Sequence, residues 1–175
     1  MAPMKTCSRS LVTMLLSAML SIGVADSAAG QQKSLAQQVI GTWSYVSVQD
    51  VQKDGNRLQP FGPSPSGVAV FEPNGQFVIV LTRPDLPKYA SNNRLNGTAE
   101  ENKATAQGSL AQFGTYIVNE ADHSFTLHAV GSSYPNIVGT DRKFVVVSIT
   151  EDEMKWSIPG ATGGGSGDVV LKRGK

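Results

Sequence analysis

The chain has 175 residues, of which 40% are apolar and 17% charged, and its formal net charge is +1. That length suits one domain with a core of its own, and the apolar content excludes a chain that stays disordered for want of burial. The near-neutral balance leaves no basic face for nucleic acid and no polybasic patch for an anionic membrane.

Lys5 and Arg9 precede an uncharged run from Leu11 to Val24, and the small residues Ala25, Ser27, Ala28 and Ala29 follow it. A positive flank, a short apolar stretch and a small-residue end are the parts of a secretory signal peptide. The run is about 14 residues, whereas a spanning helix needs roughly 20. Residues 1–29 are therefore expected to be a signal peptide cut between Ala25 and Ala29, and 30–175 the mature domain. Cys7 precedes the apolar run and would leave with the peptide. Losing Lys5, Arg9 and Asp26 leaves 13 of the 15 basic and 13 of the 14 acidic residues, so the mature chain is neutral. An exported domain without cysteine must hold together by packing alone, which suits a bacterial periplasm or bacterial secretion. Asn96-Gly97-Thr98 has the form of a glycosylation sequon, which matters only on a eukaryotic route.

The mature region opens with Ser34-Leu35-Ala36-Gln37-Gln38-Val39, a capping residue followed by apolar partners four apart, which predicts a short helical turn. The period then changes to that of strands. Thr42–Val51 leads into the hairpin signal Lys53-Asp54-Gly55-Asn56, and Arg57–Phe61 returns as a short strand. Gly62–Gly67 holds two prolines and must be a loop. Val68–Glu72 and Gln76–Thr82 flank Pro73-Asn74-Gly75, a strong hairpin signal.

From Arg83 to Gly97 there is no periodicity; Thr98 and Glu101 then form a capping box that predicts a helix over 99–107, ended by Gly108. This segment reads either as a lid over a barrel mouth or as a connector whose helix plugs one end. Strands follow at Gly114–Asn119, Ser124–Val130, Lys143–Thr150, Met154–Ile158 and Asp168–Arg173, with a glycine-rich connection over 160–167. About nine strands joined by short connections predict an all-β antiparallel barrel or sandwich rather than a parallel α/β fold. Phe77, Ile79 and Leu81 share one strand face, as do Phe125, Leu127 and Ala129, and Met154, Trp156 and Ile158. Val78, Val80, Val145, Val147 and Ile149 make some strands apolar on both faces, which fits an apolar interior and an outside partly covered by the helix.

Chemistry-bearing residues are few. The mature region has two histidines, His123 in a charged turn and His128 in a strand, with no second ligand near either, so no metal site is expected. No glycine motif cradles a phosphate, Gly165-Ser166-Gly167 opens no helix, and no cofactor is implied. The polar residues set in or beside apolar strands are Arg83, Tyr116, His128, Asn136 and Arg142. Buried charge is costly unless paired, so those that point inward are candidate ligand-binding groups. His128 lies opposite the Phe125 and Leu127 face, so the two cannot both look into the core.

Gly41-Thr42-Trp43, opening the first strand after a helical turn, looks like the Gly-x-Trp motif of lipocalins. Pro60-Phe61-Gly62-Pro63, Gly67–Phe71 running into Asn74-Gly75, Arg83-Pro84, Phe113–Tyr116 and Pro135–Arg142 reinforce it in that order. Over residues 36–173 the chain resembles the lipocalin-like domain family of bacteria and fungi. The resemblance implies an all-β fold, a small antiparallel lipocalin-like (calycin-type) barrel with one inserted helix, and no established substrate. It further implies that Arg173, near the end of the last strand, stacks on Trp43 in a structural role. The missing disulfide and the long loop with its helix depart from secreted lipocalins.

Two functions follow as expectations. One is an exported barrel holding a small hydrophobic or amphipathic molecule, oriented by Tyr116, Asn136 and Arg142. The other is an isomerase, cyclase or hydratase using His128 or Tyr116 as acid or base. Neither involves nucleic acid or stable membrane insertion of the mature chain.

Overall fold

A computed structural model describes Met1, residues 33–161 and residues 164–174. The expected signal peptide and Cys7 lie outside these residues, as do two residues of the glycine-rich connection. The described residues contain nine strands: β1 (Gly41–Val51), β2 (Arg57–Leu58), β3 (Ser66–Phe71), β4 (Gln76–Thr82), β5 (Ser109–Asn119), β6 (Ser124–Ser132), β7 (Asp141–Ile149), β8 (Glu153–Pro159) and β9 (Ser166–Arg173). Helix α1 (Leu35–Val39) precedes them and α2 (Ala99–Gly108) separates β4 from β5.

Both helices start where a capping box places them. The Ser34 hydroxyl accepts from Gln37 N–H in α1, and Thr98 accepts from Glu101 N–H in α2. Turn chemistry sets the tightest hairpin: Gly75 has φ +80°, and the Asn74 side chain accepts from Gln76 N–H at 3.0 Å, so β3 and β4 return with Phe71 opposite Phe77. Two strands differ from expectation. β2 is two residues long, because it pairs only with Asp50 and Val51 at the end of β1 and Pro60 has no N–H to extend the ladder. β5 begins at Ser109, directly after α2, and its first half pairs with Val78–Thr82 of β4.

Each strand pairs antiparallel with its chain neighbour, except that β3 bypasses β2 to pair with β1, and β9 pairs back on β1. The result is a closed eight-stranded meander with β2 as an appendix. One end of the tube holds α1, the start of β1 and the end of β9; the other holds β2, α2 and the β6–β7 connection. Side chains alternate as period two requires. Phe77, Ile79 and Leu81 of β4 are buried, while Val78 and Val80 between them are exposed. The expected helical cover over the doubly apolar strands is thereby corrected: Val78, Val80 and Val147 face outward into solvent.

The α1 end is sealed by two side chains that stand opposite each other across the closing seam, Trp43 and Arg173. The Arg173 guanidinium lies 4.0 Å from the centre of the indole ring. Its nitrogens donate to the carbonyls of Ile40 and Gln38 at 2.9 Å each and of Glu151 at 2.5 Å, and the Trp43 indole N–H donates to Val39 at 2.8 Å. A planar guanidinium with five donors can meet a ring face and three carbonyls at once; an ammonium cannot. Gly41 completes the fit. Its φ is +129°, and a Cβ there would stand 2.8 Å from the Arg173 guanidinium. Glu120 fastens α1 from the β5–β6 turn, accepting from the N–H groups of Leu35 and Ala36 at 2.9 Å. Cation–π contact contributes about 0.5–2 kcal/mol and a charge-assisted hydrogen bond about 1.5–3 kcal/mol. Arg173→Ala is therefore expected to lower stability by about 3 kcal/mol in urea unfolding, with Arg173→Lys recovering only part. Equal stability of the alanine variant and the parent would contradict this account of the seal.

Candidate functional site

Above the seal the barrel is solid, and higher up it is hollow. Phe71, Phe77, Phe125, Met154 and Leu171 are fully buried around Trp43. Trp156 caps this layer at 2% exposure. Its ring meets Phe71, Phe125 and Phe144 edge to face at centroid distances of 6.2, 5.4 and 5.8 Å, and Phe125 stacks on Phe144 at 5.1 Å. Aromatic pairs favour these geometries, and together they make a rigid floor. From it a cavity of about 500 Å³ rises to the α2 end of the tube. Val48, Ile79, Leu81, Phe144, Trp156 and Val169 form its apolar wall; Pro60, Phe61, Ala106, Ile137 and Ala161 stand around its mouth.

Polar side chains break this apolar surface at few places: Tyr45 and Asp50 from β1, Gln112 from β5 and Arg142 from β7, with Gln107, Ser109, Ser133 and Tyr134 toward the rim. Gln112 is only 5% exposed. Among the described residues none of the four in the wall makes a side-chain hydrogen bond or ion pair. The Trp156 indole nitrogen is, among the described residues, the one side-chain polar atom wholly shut off from solvent that lacks a hydrogen-bond partner. Burial raises the pKa of the Asp50 carboxyl and pushes the Tyr45 phenol well above its usual value. Burial lowers the pKa of Arg142, and the Tyr134 phenol pulls the other way. Its guanidinium carbon lies 5.7 Å from the Phe144 ring centre.

The outer surface behaves differently. Several of its charges are paired, Arg57 with Asp168, Arg83 with Asp85, Lys143 with Asp122 and Lys155 with Glu153, and others, Lys88, Arg94 and Lys103 among them, stand exposed. An unpaired charge outside is solvated, whereas the unpaired polar groups of the cavity wall are partly desolvated.

The segment from Arg83 to Gly97 folds against α2. Tyr89 reaches Asn102 and Thr105, both at 3.2 Å, and the Glu101 carboxylate accepts from the N–H groups of Ala90 and Thr98 at 2.8 Å. The end of this helix, at Ala106 and Gln107, forms part of the mouth. The inserted segment is therefore built into the rim and braced by one carboxylate.

Of the five expected ligand-binding residues, Arg142 alone lines the cavity. Arg83 is exposed beyond the end of β4 and forks onto Asp85 through bonds of 2.9 and 2.8 Å. Tyr116 lies near the sealed end, packs edge-on against Phe71 and donates to the Glu72 carbonyl at 2.9 Å. Asn136 is exposed on the 3-10 turn Pro135–Ile137, whose Ile137 faces the cavity in its place. His128 stands on the outer wall, its side chain 48% exposed, with Nδ1 2.7 Å from Asp141. The reason is parity: Phe125, Leu127 and Ala129 take the inner positions of β6, so His128 must face out. These four placements correct the expectation of interior polar groups, and neither His128 nor Tyr116 can act as acid or base inside the cavity.

Tyr45, Asp50, Gln112 and Trp156 are the functional candidates that the sequence did not single out. Gln112 could have been found from strand parity once β5 is extended back to Ser109. Asp50 could not: a bulge between Tyr45 and Ser47 shifts the register, so Trp43 and Tyr45 face inward before it and Val48 and Asp50 after it.

With this geometry in view, a family model for the lipocalin-like domain matches residues 40–167. The chain belongs to the lipocalin-like domain family. No curated protein matches it. Among solved structures it is similar to a lipocalin-like protein from Bacteroides uniformis, at 14% identity and a TM-score of 0.45, over 78% of this chain and 99% of that one. It is also similar to a redesigned beta barrel, at 14% identity and a TM-score of 0.43, over 82% of this chain and 98% of that one. The family match takes in the cavity wall except Val169, and α2 at the rim lies within it.

The rim brace has a pH signature. The backbone N–H groups of Ala90 and Thr98 lower the pKa of Glu101 below the ordinary glutamate value. A depressed folded-state pKa gives stabilisation that is full above the unfolded value, near 4.3, and is lost as pH falls through the folded value. Hydrogen exchange at the Ala90 and Thr98 amides is expected to be faster in Glu101→Gln than in the parent at pH 7. The gap should close as pH drops below about 4. A gap that does not change with pH would detach the brace from this carboxylate.

Proposed function

We propose that this lipocalin-like protein is an exported binding protein that holds a small hydrophobic or amphipathic molecule in the upper half of its barrel. The observation that carries the reading is the hollow above the Trp156 floor. Its volume of about 500 Å³ lies within the roughly 300–1,000 Å³ typical of small-molecule sites. Its walls are apolar with a few polar side chains, the composition such sites use to combine affinity with orientation. A barrel meant only to be stable would fill that volume, since unfilled apolar space forfeits packing at every wall residue.

Export rests on the charged flank at Lys5 and Arg9, the run Leu11–Val24 and the small residues that follow. The mass of the protein recovered outside the cytoplasm should show a new N-terminus between Ala25 and Ala29.

Binding is tested with the neutral fluorophore N-phenyl-1-naphthylamine, which brightens in apolar surroundings. One molecule per chain is expected to bind the parent protein. Ala106→Trp, which places an indole at the mouth from an exposed helical position, should weaken binding about tenfold or more while leaving the melting temperature unchanged. Saturation should also raise the melting temperature of the parent, because a ligand bound only by the folded state stabilises it by mass action. A fluorophore bound equally by parent and Ala106→Trp is sitting elsewhere, and the barrel-mouth reading then falls.

A further inference from the structure

We propose that the molecule held in the cavity is an organic anion, an alkyl or aryl carboxylate or a close equivalent, whose charged group is neutralised by Arg142 while its apolar body rests on Phe144 and Trp156. This deepens the binding reading above and depends on it.

The argument starts from where Arg142 stands. It occupies an inner position of β7, two residues before buried Phe144, and lines the cavity near its mouth. It is half-buried, its side chain makes no ion pair or hydrogen bond among the described residues, and its guanidinium carbon stands over the Phe144 ring at 5.7 Å from the centre. Among the other arginines of the described residues, Arg57 has Gln49 and Asp168, Arg83 has Asp85 and Arg173 has three carbonyls, while Arg94, which has no acceptor, is exposed and solvated. A guanidinium cannot discharge itself by losing its proton, so a desolvated one without a counter-charge is a standing electrostatic cost. A bound anion removes that cost.

Asp50 is the one carboxyl among the residues lining the cavity, and it does not satisfy Arg142: the two are not within ion-pair distance. Nor does Asp50 favour a cationic ligand equally. Burial raises its pKa, and a carboxyl, unlike a guanidinium, can relieve burial by taking up a proton. The charge that must persist in this cavity is therefore positive. Gln112 supplies a neutral amide donor in the same cavity, and among the described residues its side chain has no protein partner. An amide donor and a fixed cation form a set suited to an acceptor-rich, negatively charged group.

Three probes of one chain length decide the matter: decanoate, decanol and decyltrimethylammonium, each below its aggregation threshold, displacing N-phenyl-1-naphthylamine from the parent protein. Decanoate is expected to bind at least tenfold more tightly than decanol, and the ammonium more weakly than either. Arg142→Met should bring decanoate to the affinity of decanol without weakening decanol, and Arg142→Lys should restore part of the preference. Without ligand, Arg142→Met should melt no lower than the parent, which separates a binding role from a structural one. Equal affinity of decanoate and decanol in the parent overturns this proposal and leaves the binding reading standing; so does a preference for the ammonium, or one that survives Arg142→Met. If none of the probes displaces the fluorophore, or the fluorophore itself does not bind, the binding reading falls and takes this proposal with it. Should Arg142→Met fail to fold, the three probes on the parent still decide.

Discussion

Trp43 and Arg173 face each other across the one seam that makes this sheet a tube. β1 has to serve two partners, β3 on one side and β9 on the other, and the β1–β9 ladder joins residues more than a hundred positions apart. Such a contact is entropically slow to form, and a slip of one residue would turn the inner side chains of β9 outward. The guanidinium fixes the register from one end. Stacked on Trp43 and held by carbonyls from α1, β1's approach and the β8 turn, it can be satisfied in one alignment only. Closure removes the free edges an open sheet would expose, and it creates an inside.

What that inside becomes is decided along β1. Before the bulge near Val46 the strand sends Trp43 and Tyr45 inward; after it, Val48 and Asp50. The same strand therefore belongs to the sealed half and to the hollow half, and the bulge marks where one gives way to the other. Trp156 does the equivalent from the opposite wall. Its lower contacts are phenylalanines, and its other side borders the cavity. The aromatic layer supplies the stability that the open half does not. Carboxylates outside brace what is left: Glu120 holds α1 below, and Glu101 holds the inserted segment above.

The fold was legible in the sequence because its local signals agree with one another. Both capping boxes, the Pro73-Asn74-Gly75 hairpin and the alternation in β4, β6 and β8 depend on neighbours in the chain, and each appears where its residues place it. The start of β5 was hidden because α2 runs straight into it, leaving no turn residues to announce a strand. Arg142 was found because an arginine at the edge of an apolar strand is conspicuous. Arg83 and Asn136 look much the same in sequence yet lie outside, since a connecting segment carries no parity from which to read direction. For His128 the parity was there, and the inner row of Phe125, Leu127 and Ala129 had already assigned it to the outer wall. The cavity wall itself was illegible: it joins side chains from β1, β5 and β7, which share a space only after closure, and Asp50 reaches it through a bulge that no residue pattern declares.

The distribution of unsatisfied groups is what separates a site from an imperfection in packing. A void left by chance is lined by apolar atoms and stays dry, because a polar side chain there would cost more than the void itself. Here the void collects an arginine, an aspartate, a glutamine and a phenol from three strands, and among the described residues none of these side chains has a hydrogen-bond or ion-pair partner. Four polar side chains turned toward one apolar space from three strands run against the consistency that folding alone would enforce, and such local conflicts are expected where a protein gives up stability for function. The sealed half, with its complete aromatic packing and its fully bonded arginine, is what allows the other half to carry that conflict.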